Sequence, residues 1–141
     1  MANLQSAIYT ALSQDATVGA LVSYTDGALS AYAIYPVSVP LNTIQKSDNQ
    51  ITYKKLFQTK ITEIDLEIPI IQVVAISKTA SGASDLRDGI ISVLERFRGN
   101  LGGKRTVESC VVINEAESKS EDGKFYYNSI DFKFKLFGNN I

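Results

Sequence analysis

The hydrophobic positions of this chain change period several times, and each change marks an element. Leu4, Ile8, Ala11 and Leu12 recur at helical spacing, so a helix runs to about Ser13, with Asn3 available as its cap. Val18, Leu21 and Val22 form a second short apolar cluster placed to join the same core. Thr25-Asp26-Gly27 reads as a turn, and Tyr32 to Tyr35 as a short strand stopped by Pro36. Val37 to Gln50 contains Pro40 and shows no period, and a loop of that length inside a domain is more often functional than idle.

Period two then takes over. Ile51, Tyr53, Lys55 and Phe57 alternate as a strand, and a turn is expected near Thr59-Lys60. Beyond it, Ile64, Leu66 and Ile68 point one way and Glu63, Asp65 and Glu67 the other. After Pro69 both faces become apolar (Ile70, Ile71, Val73, Val74, Ala75, Ile76). The expectation is a long strand that becomes central, with Pro69 at a bulge or an unpaired edge.

Ser84 or Asp85 can cap a second main helix whose stripe is Leu86, Ile90, Val93, Leu94 and Phe97, with Gly99 where a C-cap glycine would stand. Burying such a stripe is worth on the order of 7–15 kcal/mol before entropy is counted, so this helix must dock on a sheet. Thr106 to Ile113 is a strand and Glu115 to Lys124 a charged loop. Phe125 to Phe137 is the last strand, with Ile130, Phe132, Phe134 and Leu136 on its core face. The order predicts an α+β fold: a mostly antiparallel mixed sheet of about five strands, with two main helices on one face.

Composition narrows the function. At 141 residues the chain is most simply one domain, 1–141, able to bury roughly 68% of its unfolded surface. Fourteen basic and fifteen acidic side chains give a net charge of −1, so bulk attraction to nucleic acid is not expected. Cys110 is the single cysteine, which leaves no internal disulfide; between apolar neighbours it reads as an inert core residue. No lysine or arginine precedes Lys46, so a secretory signal would lack its positive start, and synthesis in the cytoplasm is expected. The apolar stretch Ile68 to Ile76 is too short to cross a bilayer, so no membrane role is expected. There is no histidine, which removes the commonest acid/base group and metal ligand. No catalytic, cofactor-binding or metal-binding set is visible, and the expectation is a non-enzyme without a cofactor.

Three clusters still deserve weighing. Gly99 to Lys104 superficially suggests a phosphate loop, but Arg98 stands where the first glycine belongs and the segment follows a helix instead of opening one. Arg96, Arg98, Lys104 and Arg105 form a basic cluster. Complementing a helix C-terminus explains it at about 0.3–1 kcal/mol each, and contact with an acidic partner surface or passing DNA is the functional reading. Glu63, Asp65 and Glu67 form an acidic stripe. Cross-strand pairing with Lys54 or Lys55 is the plain account, and an acidic wall facing a channel is the functional one.

With these elements in place, the chain resembles the tail-completion family of long-tailed bacteriophages, the tail terminators or tail-to-head joining proteins. The resemblance is carried by Leu4-x-x-Ala7-Ile8-Tyr9-x-x-Leu12, Val18-x-x-Leu21 and Ile34-Tyr35-Pro36 with Pro40 after it. It continues in Ile71-Gln72-Val73-Val74-Ala75 leading into the Leu86–Leu94 helix, and in Ser129-Ile130-Asp131-Phe132-Lys133-Phe134. It implies a virion structural protein of the tail or neck that caps the tail tube as a ring, usually six-membered, and stops elongation. Such a ring offers a docking surface to the head-closure or connector protein. Its partners would be further copies of itself, the tail tube protein and that connector, with DNA passing through the channel without sequence-specific binding. Assembly would take place in the host cytoplasm. On this reading Glu63, Asp65 and Glu67 line the channel, and Arg96, Arg98, Lys104 and Arg105 contact partners. The competing readings are another head–tail connector ring or a tube subunit, and a non-viral α+β domain that binds a small ligand or peptide. An enzyme relying on a carboxylate pair ranks last.

Overall fold

The computed structural model describes residues 4–26, 29–36, 48–100 and 105–138. The Asn3 cap, most of the predicted 37–50 loop with Pro40, and Lys104 lie outside the described residues. Two short helices open the chain, α1 (Leu4–Gln14) and α2 (Ala16–Val22). Between them Asp15 accepts hydrogen bonds from the backbone N–H groups of Thr17 and Val18, each at 3.0 Å, so a single carboxylate caps α2. A small antiparallel hairpin follows, β1 (Ser23–Asp26) with β2 (Leu29–Tyr32), and then β3 (Ile34–Pro36). The single strand expected from Tyr32 to Tyr35 is thus two, divided at Ala33, whose N–H bonds back to Val22.

The main sheet runs in the order β3, β4 (Asn49–Ile61), β5 (Leu66–Ser77), β8 (Tyr126–Gly138), β7 (Arg105–Lys119), β6 (Gly99–Asn100). Only the β3–β4 pair is parallel. The third helix, α3 (Ala80–Glu95), connects β5 to β6. All three helices cover one face. Leu4, Ile8, Leu12, Val18, Val22, Leu86, Ile90 and Leu94 meet Ile71, Val73, Ala75, Ile130, Phe132 and Phe134 in one buried cluster. Phe97 closes its end edge-on to Phe134, with centroids 6.3 Å apart. This is the expected α+β fold, with five longer or shorter strands plus the two-residue β6 at one side.

Several boundaries move. α3 starts a turn before Ser84, because Thr79 accepts from the Gly82 N–H at 3.0 Å and Ala83 is drawn into the core. The helix ends at Arg96 in right-handed geometry, and Gly99, with φ +113°, sits in β6 instead of capping the helix. Pro69 lies inside β5 opposite Gln58. The bulge predicted for it falls at Leu56 in the partner strand, between the Lys55–Ile71 and Phe57–Ile70 pairs. The charged loop shrinks to 120–125, because Asn114–Lys119 pair residue by residue with Tyr126–Asp131. The Ser120 hydroxyl donates to Asp122 at 2.7 Å, and Asp122 also accepts from the Lys124 N–H, which closes that turn.

Candidate assembly surfaces

The turn between β4 and β5 is not where the alternation put it. The strands stay paired to Ile61–Leu66, and Thr62–Ile64 forms a short 3-10 turn ended by Asp65 in the left-handed region at φ 50°. The predicted acidic stripe on one strand face is therefore corrected. Glu63 is exposed on the 3-10 turn. Asp65 packs against the end of β8, where Gly138 donates its N–H to the Asp65 carbonyl at 3.2 Å and a Cβ would overlap the Asp65 carboxylate. Glu67 alone lies in a strand, and its partner is Lys60, at 3.8 Å, not Lys54 or Lys55. Backbone reversal at Asp65 breaks the period of two, and alternation in sequence cannot reveal such a turn.

From Lys54 onward, through the bulge, β4 leaves the core. Residues 54–64 are exposed, and the apolar side chains among them include Phe57 at 60% and Ile64 at 57% exposure, with Leu56 and Ile61 beside them. At the other side of the sheet β7 exposes Val111 at 47% and Ile113 at 50%. Apart from Tyr9 and Tyr32, these are the large apolar side chains on the described surface. Sequence reading missed both groups. The readable signal was the doublet Leu56-Phe57, which breaks an otherwise strict alternation and marks the bulge.

Charge is distributed unevenly between these two sides. β4 carries Lys54, Lys55 and Lys60 and no acid, whereas β7 carries Glu108, Glu115 and Glu117 between Arg105 and Lys119 at its two ends. Arg87 of α3 braces the β7–β8 hairpin. It bonds Asp88 at 3.0 Å and Glu117 at 3.1 Å, and the Asp88 hydrogen bond foremost holds its guanidinium pKa above the ordinary value. Of the predicted partner-contact residues, Arg96 caps α3 and is exposed, and Arg98 is exposed and donates to the Phe97 carbonyl at 2.7 Å. Arg105 opens β7, but its side chain lies outside the described residues, as Lys104 does entirely.

Cys110 is buried against Phe134, and burial pushes its thiol up to about 12, the state of an inert core residue. On the sheet face away from the helices, Asp131 accepts from Asn114 at 3.4 Å, and its other oxygen is buried with no hydrogen bond. No group of three or more His, Cys, Asp or Glu able to hold a metal occurs among the described residues. No described helix is long and apolar enough to cross a membrane. Depressions on the described surface are open. One of about 330 Å³ lies between α3 and the β7–β8 hairpin, and one of about 490 Å³ between α2 and α3 includes Asp15, already committed to its cap.

No protein-family model matches the chain, and no curated protein does. Among solved structures the fold is similar to a chain in the virion of a native gene transfer agent (GTA) particle. The TM-score is 0.74 at 16% identity, over 96% of this chain and 95% of that one. The two chains share a fold from end to end.

Proposed function

We propose that this chain is a virion structural protein that closes a bacteriophage-like tail tube as a ring, stops its elongation and presents a docking surface to the head connector. The observation that carries the reading is the likeness to a chain of a virion over nearly the full length of both chains. The order of motifs resembling tail-completion proteins points the same way. A closing ring needs lateral faces for its neighbours, and the exposed apolar and charged sides of the sheet are suited to that task. It needs no reaction, and we assign none, nor a cofactor.

In this ring Arg96 and Arg98 are offered to partner proteins. Glu63 and Glu67 are candidates for the channel wall as separate charges instead of a stripe. A ring with both carboxylates on its outer rim refutes that placement. The nearest alternative is a tube subunit or another connector ring, which the same sheet edges would serve. Self-polymerisation into long tubes distinguishes a tube subunit, because a terminator must halt growth.

The test is genetic and visual. A strain lacking the protein should produce tails of abnormal length or heads and tails that fail to join, seen by electron microscopy. Purified protein added to free tubes should cap their ends. Normal infectious particles from the deletion strain reject the proposal.

A further inference from the structure

Among the described residues the sheet order leaves β4 and β7 each with an uncovered stretch on one side. β3 pairs with β4 only as far as Tyr53, and β6 pairs with β7 only at Thr106 and Val107. Among the described residues no strand covers the outer side of β4 from Lys54 to Ile61, or of β7 from Glu108 to Lys119. An uncovered edge presents backbone donors and acceptors in a row and templates pairing with another strand. The exposed apolar side chains described above are concentrated on these two strands and the turn that follows β4.

The two edges agree in direction, level and chemistry. β4, β5, β8 and β7 are successively antiparallel, so β4 and β7 run in opposite directions. A rotation about an axis along the strands therefore brings the β4 of a second copy antiparallel to β7. Phe57 pairs with Ile70, Ile70 with Lys133, and Lys133 with Val111, so Phe57 and Val111 share one row at opposite ends of the sheet. By the same tracing through Glu67 and Leu136, Lys60 is level with Val107, whose outer side β6 already takes, so the stretch of β4 free to dock runs from Lys54 to Thr59. Lys55 traces through Ile71 and Phe132 to Val112, diagonal to Glu115.

We infer that the uncovered side of β4 in one copy docks antiparallel on the uncovered side of β7 in the next, with Phe57 against Val111 and Lys55 diagonal to Glu115. The occupant is a second copy of this chain in head-to-tail order. Self-pairing of β4 is disfavoured, because its charged side chains, Lys54, Lys55 and Lys60, all carry one sign. A heterologous contact builds a ring when its rotation closes on itself and a filament when it does not, and the ring reading requires the first. The inference deepens the ring reading above and rests on it.

Cysteine pairing tests the contact in the full chain. In a Cys110→Ser background, Phe57→Cys and Val111→Cys are made singly and together, both at exposed positions, and folding is checked by circular dichroism. Assembly is followed by light scattering over a wide concentration range, alone and with tubes purified from a deletion strain, and the samples are then mildly oxidised. The double variant should give a covalent ladder, the two singles mixed should give dimers only, and each single should give none. An oligomer or tube cap that forms without the ladder, or self-linking of Phe57→Cys alone, overturns this contact and leaves the ring standing. Monomer at every concentration with no tube capping overturns both. As a second readout, Lys55→Glu or Glu115→Lys alone should raise the half-assembly concentration about tenfold, and the two together should restore it. Failure of the double reversal to recover assembly also overturns the pairing.

Discussion

Phe132 and Phe57 are separated by one sheet row, yet truncating them should have unequal consequences. Phe132 is fully enclosed between the sheet and the helices, whereas Phe57 keeps 60% of its surface in water. Complete burial of a phenylalanine is worth about 1.5–3 kcal/mol in transfer terms, so the roughly 40% of Phe57 that is covered contributes about 0.6–1.2 kcal/mol. Phe132→Ala removes the full transfer term and leaves a cavity among Phe134, Ile71 and Val112, at a cost of about 3–5 kcal/mol. Set against a typical total of about 5–15 kcal/mol, the first change is tolerable and the second threatens the fold. The assay is urea unfolding of dilute monomer, read by circular dichroism. With a slope of about 2 kcal/mol per molar, Phe57→Ala should lower the midpoint by about 0.5 M and Phe132→Ala by about 2 M, the slope unchanged. Equal losses at the two positions would refute the reasoning. They would mean that Phe57 is held by the core, and the β4 side would then have nothing spare to offer a neighbour.

Three further outcomes follow from buried groups and caps. Cys110 should resist a thiol reagent at pH 8 until the chain is unfolded; rapid labelling of folded protein would contradict its burial. Because its folded pKa of about 12 lies above the ordinary 9.0, the unfolded chain loses this proton first as pH rises. The stability contribution is complete below about pH 9 and is lost towards pH 12. The midpoint advantage of the parent over Cys110→Val should therefore shrink between pH 8 and 11, and a constant difference would count against it. Asp15→Ala removes the acceptor of two N–H groups and should cost about 1 kcal/mol, seen as a lower melting temperature, with Asp15→Asn recovering most of it; no loss on Asp15→Ala would show the cap to be idle.

The amphipathic stripes of α1 and α3, the alternation of Ile130, Phe132, Phe134 and Leu136, and the bracketed apolar run of β5 are properties of the sequence itself. Periodicity selects which face of an element must leave water, whatever that element packs against, and so the α+β class, the main core residues and the inertness of Cys110 were readable. The sequence was silent where backbone hydrogen bonding, not side-chain burial, holds a strand. Asn114 to Lys119 shows no apolar period, yet it is strand, because pairing with β8 satisfies its backbone groups while its side chains stay in water. The acidic residues misled for the converse reason: Glu63, Asp65 and Glu67 alternate in sequence, but the left-handed turn at Asp65 sends them to different surroundings. The candidate contact surface belongs wholly to the tertiary structure. Phe57 and Val111 lie 54 positions apart along the chain, and only the register of four consecutive strands sets them on one row at the two ends of a sheet.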